Sequence, residues 1–291
     1  MWHLTRIPKT AHFYWGGTKL SYLRFLSVKS FQRYNPDWAI KIHVPAFLSN
    51  ASPAWDTFQQ KNINITHDYF DKLTDIKGVT IVKHDFSDYN FDNNAHEVHK
   101  SDFLRWHLLS EHGGLWSDID ILYTASMSWL AENTDSNHEI DTALCPLKPP
   151  HKHTVGFMLS SQNNNFFQYI GELARTAYNP ATYQCMGSDL INQRFKTFNS
   201  FAETFTNHNF IFLNKNCVYP LTSKNIDYFY RDVNIDVCKE INHKNVVGYH
   251  WFAGHPLSQE FENKFDKNNL DNYNNILVAI LKRNNLYESN I

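Results

Sequence analysis

Cysteine is scarce in this 291-residue chain: Cys145, Cys185, Cys217 and Cys238 stand far apart and form no C-x-x-C pair. That excludes a disulfide framework and a thiolate zinc site, and reads as reduced thiols in a cytosolic protein. Glycine and proline are equally sparse, at 10 each, so long flexible or proline-rich linkers are excluded. The longest unbroken apolar run, Ile276–Leu281, is far below the roughly 18 residues of a membrane span. The opening residues, Met1 to Pro8, lack the apolar region of a signal peptide. Charged residues make up only 19%, and 27 basic residues against 29 acidic ones leave no basic excess, which disfavours a nucleic-acid partner.

What is present is aromatic: 22 Phe, 15 Tyr and 8 Trp, within a hydrophobic content of 42% that suffices for a substantial core. Asparagine clusters such as Gln162-Asn163-Asn164-Asn165 read as loop filling. No composition shift marks a linker, so the expectation is one α/β domain with helical insertions in its second half. Ala11–Trp15 reads as a strand closed by Gly16-Gly17, Ser21–Tyr34 as a helix stopped by Asn35-Pro36, and Ala39–Val44 and Thr80–Val82 as strands. Strand, helix, strand in this order predicts a parallel sheet. A helix is predicted over Ala95–His112, ended by Gly113-Gly114, and a strand over Leu115–Tyr123. Further strands are expected near 142–145, 155–159, 210–213 and 246–251, and helices near 165–178 and 272–283.

The segment from Ser101 to Asp120 concentrates the chemistry. Asp102 and Arg105, three apart on a helix, share a face. On a following strand, Trp116, Asp118 and Asp120 would alternate onto one side. Two neighbouring carboxylates offer hard oxygen ligands to Mg²⁺ or Mn²⁺, and such an ion neutralises a departing diphosphate. Arginine adds planar donors for phosphate or hydroxyl oxygens. An isolated Asp-x-Asp is weak, being equally a solvated strand end. The helix–GlyGly–strand spacing is what makes it specific.

Ser101-Asp102-x-x-Arg105 followed by Gly113-Gly114-x-Trp116-x-Asp118-x-Asp120 resembles the signature of the DXD sugar-binding glycosyltransferases. That group holds the Och1-like mannosyltransferases and α1,4-GlcNAc-transferases of family 32 and the related clostridial glucosylating toxins. The family usually has Tyr where this chain has Trp116, and an aliphatic residue at Ser117. Ile7-Pro8-Lys9 through His12, Trp15 and Gly17 resembles its first strand, and Ser30-Phe31 through Asn35-Pro36-Asp37-Trp38 its next conserved stretch. The likeness covers about the first 125 residues and is patchy after that.

The resemblance implies a GT-A fold: one nucleotide-binding, mostly parallel sheet flanked by helices, residues 1–291 as a single domain, with 1–125 the nucleotide-sugar half and 126–291 the acceptor side. It implies a nucleotide-sugar donor (UDP-sugars first, GDP-mannose second), a glycan or glycolipid acceptor, retention of anomeric configuration and Mn²⁺ or Mg²⁺ as cofactor. Trp15 and Gly16 would border the base. Asp102 and Arg105 would contact the donor sugar, Asp118 ribose or sugar hydroxyls, and Asp120 the metal. Gly187-Ser188-Asp189 is similar to an acidic patch that holds the donor sugar in relatives. His250 would complete the metal shell and Trp251 border the diphosphate or the acceptor. Each also has a plain structural reading: Trp15 as core, Asp102 and Arg105 as a helix-surface ion pair, Asp189 as part of a helix cap, His250 as a chance neighbour of Trp251. A toxin-like enzyme that glycosylates a protein and a non-catalytic sugar-binding protein are the alternatives. An Asp-x-Asp phosphatase would leave the Asp102/Arg105 helix unexplained. The expected location is cytoplasmic, with peripheral membrane contact left open by the amphipathic stretch 276–283, which reads better as a packed helix.

Overall fold

The computed structural model describes residues 4–50, 65–133, 139–148, 152–232 and 246–287. Cys238 and the first three residues, used above, lie outside them. The first half runs β1 (Thr10–Tyr14), α1 (Tyr22–Tyr34), β2 (Ala39–Pro45), β3 (Val79–His84), α2 (Glu97–Glu111), β4 (Gly114–Ser117) and β5 (Ile121–Tyr123). It continues with α3 (Met127–Glu132), β6 (Thr142–Leu144), β7 (Phe157–Ser160), α4 (Asn165–Ala177), α5 (Ser188–Arg194), α6 (Phe198–Thr204), β8 (Phe210–Phe212), α7 (Asp227–Tyr230) and β9 (Gly248–His250). Helices Pro256–Lys264 and Ile276–Arg283 close the chain.

A seven-stranded sheet has the order β3-β2-β1-β4-β7-β6-β8. Its first four strands are parallel, as the alternation of strand and helix requires. β7 is antiparallel to both neighbours, a reversal that no local pattern announces. The chain runs outward from β1 to β3 and then returns to β4 on the other side of β1. The carboxyl ends of β1 and β4 therefore flank a topological switch point, where α/β sheets bind ligands. Both faces are covered: α1 packs Leu23, Leu26 and Phe31 into one core, while α2 and α4 pack Phe103, Trp106 and Phe166 into the other.

Gly113 and Gly114 sit at φ +64° and +95°, the left-handed region that only glycine adopts freely. A β-carbon at Gly114 would stand 2.3 Å from the Thr10 carbonyl oxygen, so the pair both ends α2 and lets β4 pair with β1. The predicted strand Leu115–Tyr123 is two strands in two sheets. β4 ends at Ser117, Asp118–Asp120 turn, and β5 pairs with β9 instead. The period-2 argument for Trp116, Asp118 and Asp120 therefore fails, and another geometry gathers them. The strand expected at 246–251 spans only β9, and the last helix starts at Ile276 because 270–272 form a separate 3-10 turn. In that helix Ile276, Leu277, Val278, Ile280 and Leu281 are all buried in the core, which removes the cue for membrane contact. No helix among the described residues is long and apolar enough to cross a membrane. Asn164 is no filler: it caps α4 and donates from Nδ2 to the Asp141 carbonyl at 2.8 Å. Cys145, Cys185 and Cys217 are free thiols.

Three buried histidines line up across β1, β2 and β3. His12 Nε2 donates to the Gly113 carbonyl (3.1 Å), which fixes its Nδ1 as an acceptor. His43 Nε2 donates to that atom (2.9 Å), and His84 Nε2 donates to His43 Nδ1 (2.7 Å). The Tyr89 hydroxyl closes the row on His84 Nδ1 at 2.9 Å. Every ring is neutral in this arrangement. Burial lowers His12 and His84 to about 4 and His43 to about 2.

Candidate active site

The switch-point pocket is lined by the end of β1 (Tyr14, Trp15, Gly16), one face of α2 (Glu97, Val98, Ser101, Asp102, Arg105) and the β4–β5 turn (Asp118, Ile119, Asp120). Arg24, Trp116, Val155, the 183–188 segment and Ala253 complete it. Asp102 and Arg105 do share a face of α2: Arg105 Nη2 lies 3.1 Å from Asp102 Oδ1. Both are buried, so this is no helix-surface pair. Arg105 Nη1 also donates to the Val155 carbonyl at 2.6 Å and lies 3.7 Å from Asp118 Oδ1. Its guanidinium stacks over Trp116, 4.9 Å from the ring centre, and the Trp116 indole N–H donates to Asp118 Oδ1 at 3.2 Å. The turn between β4 and β5, not strand alternation, thus sets Asp118 over Arg105.

The small β5–β9 sheet brings in the third ligand-type side chain. Ile121 pairs with His250, and the Trp251 N–H donates to the Asp120 carbonyl at 3.0 Å, which fixes His250 beside Asp120. His250 Nε2 lies 3.2 Å from Asp120 Oδ1 and 3.9 Å from Asp118 Oδ2. One ligand atom from each of Asp118, Asp120 and His250 falls within 4.8 Å of the others. The remaining atoms are spoken for. Ala253 N–H donates to Asp120 Oδ2 at 2.8 Å, and Phe252 N–H donates to His250 Nδ1 at 3.1 Å. Phe252 reaches that position at φ +50°, a strained conformation for an aromatic residue. Two hard carboxylate oxygens and one imidazole nitrogen within 4.8 Å of one another form a donor set that could hold a divalent cation.

The electrostatics differ between neighbours. Burial pushes Asp102 up to about 6; Arg105 opposes this only in part, and the charges of Asp118 and Asp189 add to the rise. Burial would raise Asp118 too, but Arg105, His250 and the Trp116 N–H hold it down at about 2. For His250, burial works against the charged ring, yet Asp120 and Asp118 outweigh it and raise the imidazole. The Phe252 N–H aimed at Nδ1 opposes a second proton on the ring.

Asp102, Arg105, Asp118, Asp120 and His250 are therefore brought together, with Trp15 and Gly16 on the pocket wall. Asp189 is exposed and does not line the pocket; Gln184, Gly187 and Ser188 of the same segment do. Trp251 is fully buried outside the lining, its indole N–H 3.4 Å from Ser27 Oγ. Sequence reasoning missed Arg24, Glu97 and Tyr183. Glu97 accepts from the Tyr14 hydroxyl and from Lys100 Nζ (2.9 Å), a buried polar wall beside Gly16.

A family model described as a glycosyltransferase sugar-binding region containing the DXD motif matches residues 26–136, which hold Asp102, Arg105, Asp118 and Asp120. No curated protein matches the chain. Among solved structures, the PaToxG glycosyltransferase is similar at 16% identity over 69% of this chain and 70% of its own, with a TM-score of 0.46. A glycosyltransferase involved in the glycosylation of the major capsid of PBCV-1 is similar at 9% identity over 87% and 98%, TM-score 0.41. The galactosyltransferase LgtC, in complex with donor and acceptor sugar analogues, is similar at 13% identity over 84% and 87%, TM-score 0.39.

Proposed function

We propose that this chain is a glycosyltransferase, metal-dependent and retaining, of the Och1-like, α1,4-GlcNAc-transferase-like group. It moves a sugar from a nucleotide sugar, a UDP-sugar first and GDP-mannose second, to a hydroxyl of a glycan or glycolipid. Residues 1–291 act as one domain, with the acceptor entering from the side built by 126–291. The observation that carries this reading is the convergence of Asp118, Asp120 and His250 beside the Asp102–Arg105 pair at the switch point.

Asp118, Asp120 and His250 would hold the ion, which when bound neutralises charge on the leaving diphosphate. Arg105 is oriented by Asp102, Ser101 and the Val155 carbonyl before any donor arrives, so its charge is already in place for the donor. Asp102, near half-protonated around pH 6, can donate to or accept from a sugar hydroxyl. The lining carboxylates are engaged: Asp102 with Arg105, Asp118 with Trp116, Asp120 with Ala253 and His250, Glu97 with Tyr14 and Lys100. None stands free as a nucleophile, which favours front-face attack by the acceptor hydroxyl through an oxocarbenium-like transition state.

The test is a panel of UDP- and GDP-sugars with Mn²⁺, reading release of the nucleoside diphosphate. One donor should turn over, and Asp120→Ala should abolish it in a folded protein. Turnover of no donor, or full turnover in Asp120→Ala, contradicts the reading.

A further inference from the structure

Trp15 and Trp251, the two tryptophans that the resemblance places at the site, turn their rings to Arg24. The Arg24 guanidinium carbon lies 4.7 Å from the Trp15 ring centre and 5.5 Å from that of Trp251. Trp15 is also closed in from elsewhere: a β-carbon at Gly17 would come within 2.2 Å of its ring. At 5% exposure Trp15 offers a base little face to stack on, and Trp251 offers none. Arg24 itself lines the pocket. Its rear edge is anchored: Nε and Nη2 donate to the Glu262 carboxylate at 2.6 and 3.4 Å, and the Ser21 hydroxyl donates to the same carboxylate at 2.6 Å. Nη1 makes no hydrogen bond among the described residues. Glu262 is buried and lies outside the pocket lining.

The two arginines of the pocket are thus unlike. Arg105 faces its counter-ions, Asp102 and Asp118, inside the pocket. The counter-ion of Arg24, Glu262, lies outside the pocket lining, which leaves Nη1 without a partner among the described residues, on a side chain that lines the cavity. A guanidinium walled by two indoles sits in low dielectric, where its attraction for an anion is strengthened. We propose that Arg24 binds the diphosphate of the nucleotide, and that Trp15 and Trp251 serve to hold Arg24 rather than to stack on the base. This rests on the nucleotide-sugar reading of the pocket and adds to it a positioning group for the leaving group.

Titration calorimetry with uridine, UMP and UDP, and with guanosine, GMP and GDP, each with Mn²⁺, tests it. Arg24→Met would strand Glu262 as a buried unpaired carboxylate, so the informative variant is the neutral pair Arg24→Gln/Glu262→Gln, with Arg24→Lys beside it. Affinity for the preferred nucleoside diphosphate should fall about ten- to hundredfold, the loss of one charge-assisted hydrogen bond. Affinity for the bare nucleoside and for Mn²⁺ alone should not fall, and Arg24→Lys should lie between. Equal loss for nucleoside and diphosphate, or no loss, overturns the assignment while leaving the donor reading intact. Absence of any nucleotide binding by the unaltered protein overturns the donor reading, and this assignment with it.

Discussion

Gly187 lies flush against the Asp102 carboxylate: a β-carbon there would come within 2.7 Å of Oδ2. Gly187 precedes α5, so the loop before that helix presses directly on the residue that orients Arg105. Gly187→Ala should therefore displace the carboxylate. kcat/KM should drop at least about tenfold, as expected when one oriented charge-assisted contact is disturbed. The melting temperature should change far less, because the collision is with a side chain at the pocket edge and not with the core. Unchanged kinetics in Gly187→Ala would show that Asp102 is not held where the structure has it.

Asp120→Asn and His250→Ala should each weaken Mn²⁺ binding, measured by electron paramagnetic resonance of the free ion, by more than about tenfold. Asp120→Asn retains an oxygen that can accept from Ala253 N–H, so its fold should survive. Wild-type Mn²⁺ affinity in His250→Ala would leave only the two aspartates as ligands.

Trp116→Phe removes the indole N–H from Asp118 Oδ1 while keeping a ring beneath Arg105. The lost hydrogen bond, made to an ionised carboxylate, is worth about 1.5 kcal/mol, so metal affinity should fall about tenfold, not vanish. Trp116 is fully buried, and a modest loss of stability should accompany the smaller ring. Identical metal affinity in the variant would show that the indole does not tune Asp118.

The histidine row makes stability depend on pH. In the unfolded chain these rings protonate near pH 6.5; in the folded chain burial lowers them to about 4, 2 and 4. Below pH 6.5 the unfolded state binds protons that the folded state does not, so stability falls on acidification toward pH 4. His12 alone accounts for about 3 kcal/mol at the end of that window. Asp102 acts oppositely, since its folded value of about 6 lies above the ordinary 3.8 and the folded state takes its proton first. His250, raised by Asp120 and Asp118, also takes its proton first in the folded state, but the three rings of the row and His96, likewise lowered by burial to about 4, outweigh these two groups. Urea denaturation should show lower stability at pH 5 than at pH 7, with a steeper decline in Asp102→Asn. Flat stability across that range would contradict the buried neutral row.

Much of the first half was legible in the residues. Apolar spacing and Gly or Asn-Pro stops place β1, α1, β2 and α2 within a residue or two, because those elements are set by local pattern and caps. The break at Asp118–Asp120 was not, since Trp116, Asp118 and Asp120 have the spacing of a strand. What bends the chain is distant: Trp251 and Ala253 bind the Asp120 backbone and carboxylate. The reversed direction of β7 is likewise absent from any local signal. Arg24 carries no signal in the sequence, because its partner is Glu262, 238 positions away. His12, His43 and His84 lie far apart in the chain, and only strand order sets them side by side.

The account turns on whether the pocket grips a nucleoside diphosphate with the help of a divalent ion. Calorimetry with UDP and GDP, with Mn²⁺ and with the chelator EDTA in its place, measures this directly. The predicted result is one-to-one binding that needs Mn²⁺ and is lost in Asp120→Ala. Binding of equal strength without the ion, or no binding of either nucleotide by the folded protein, would contradict it.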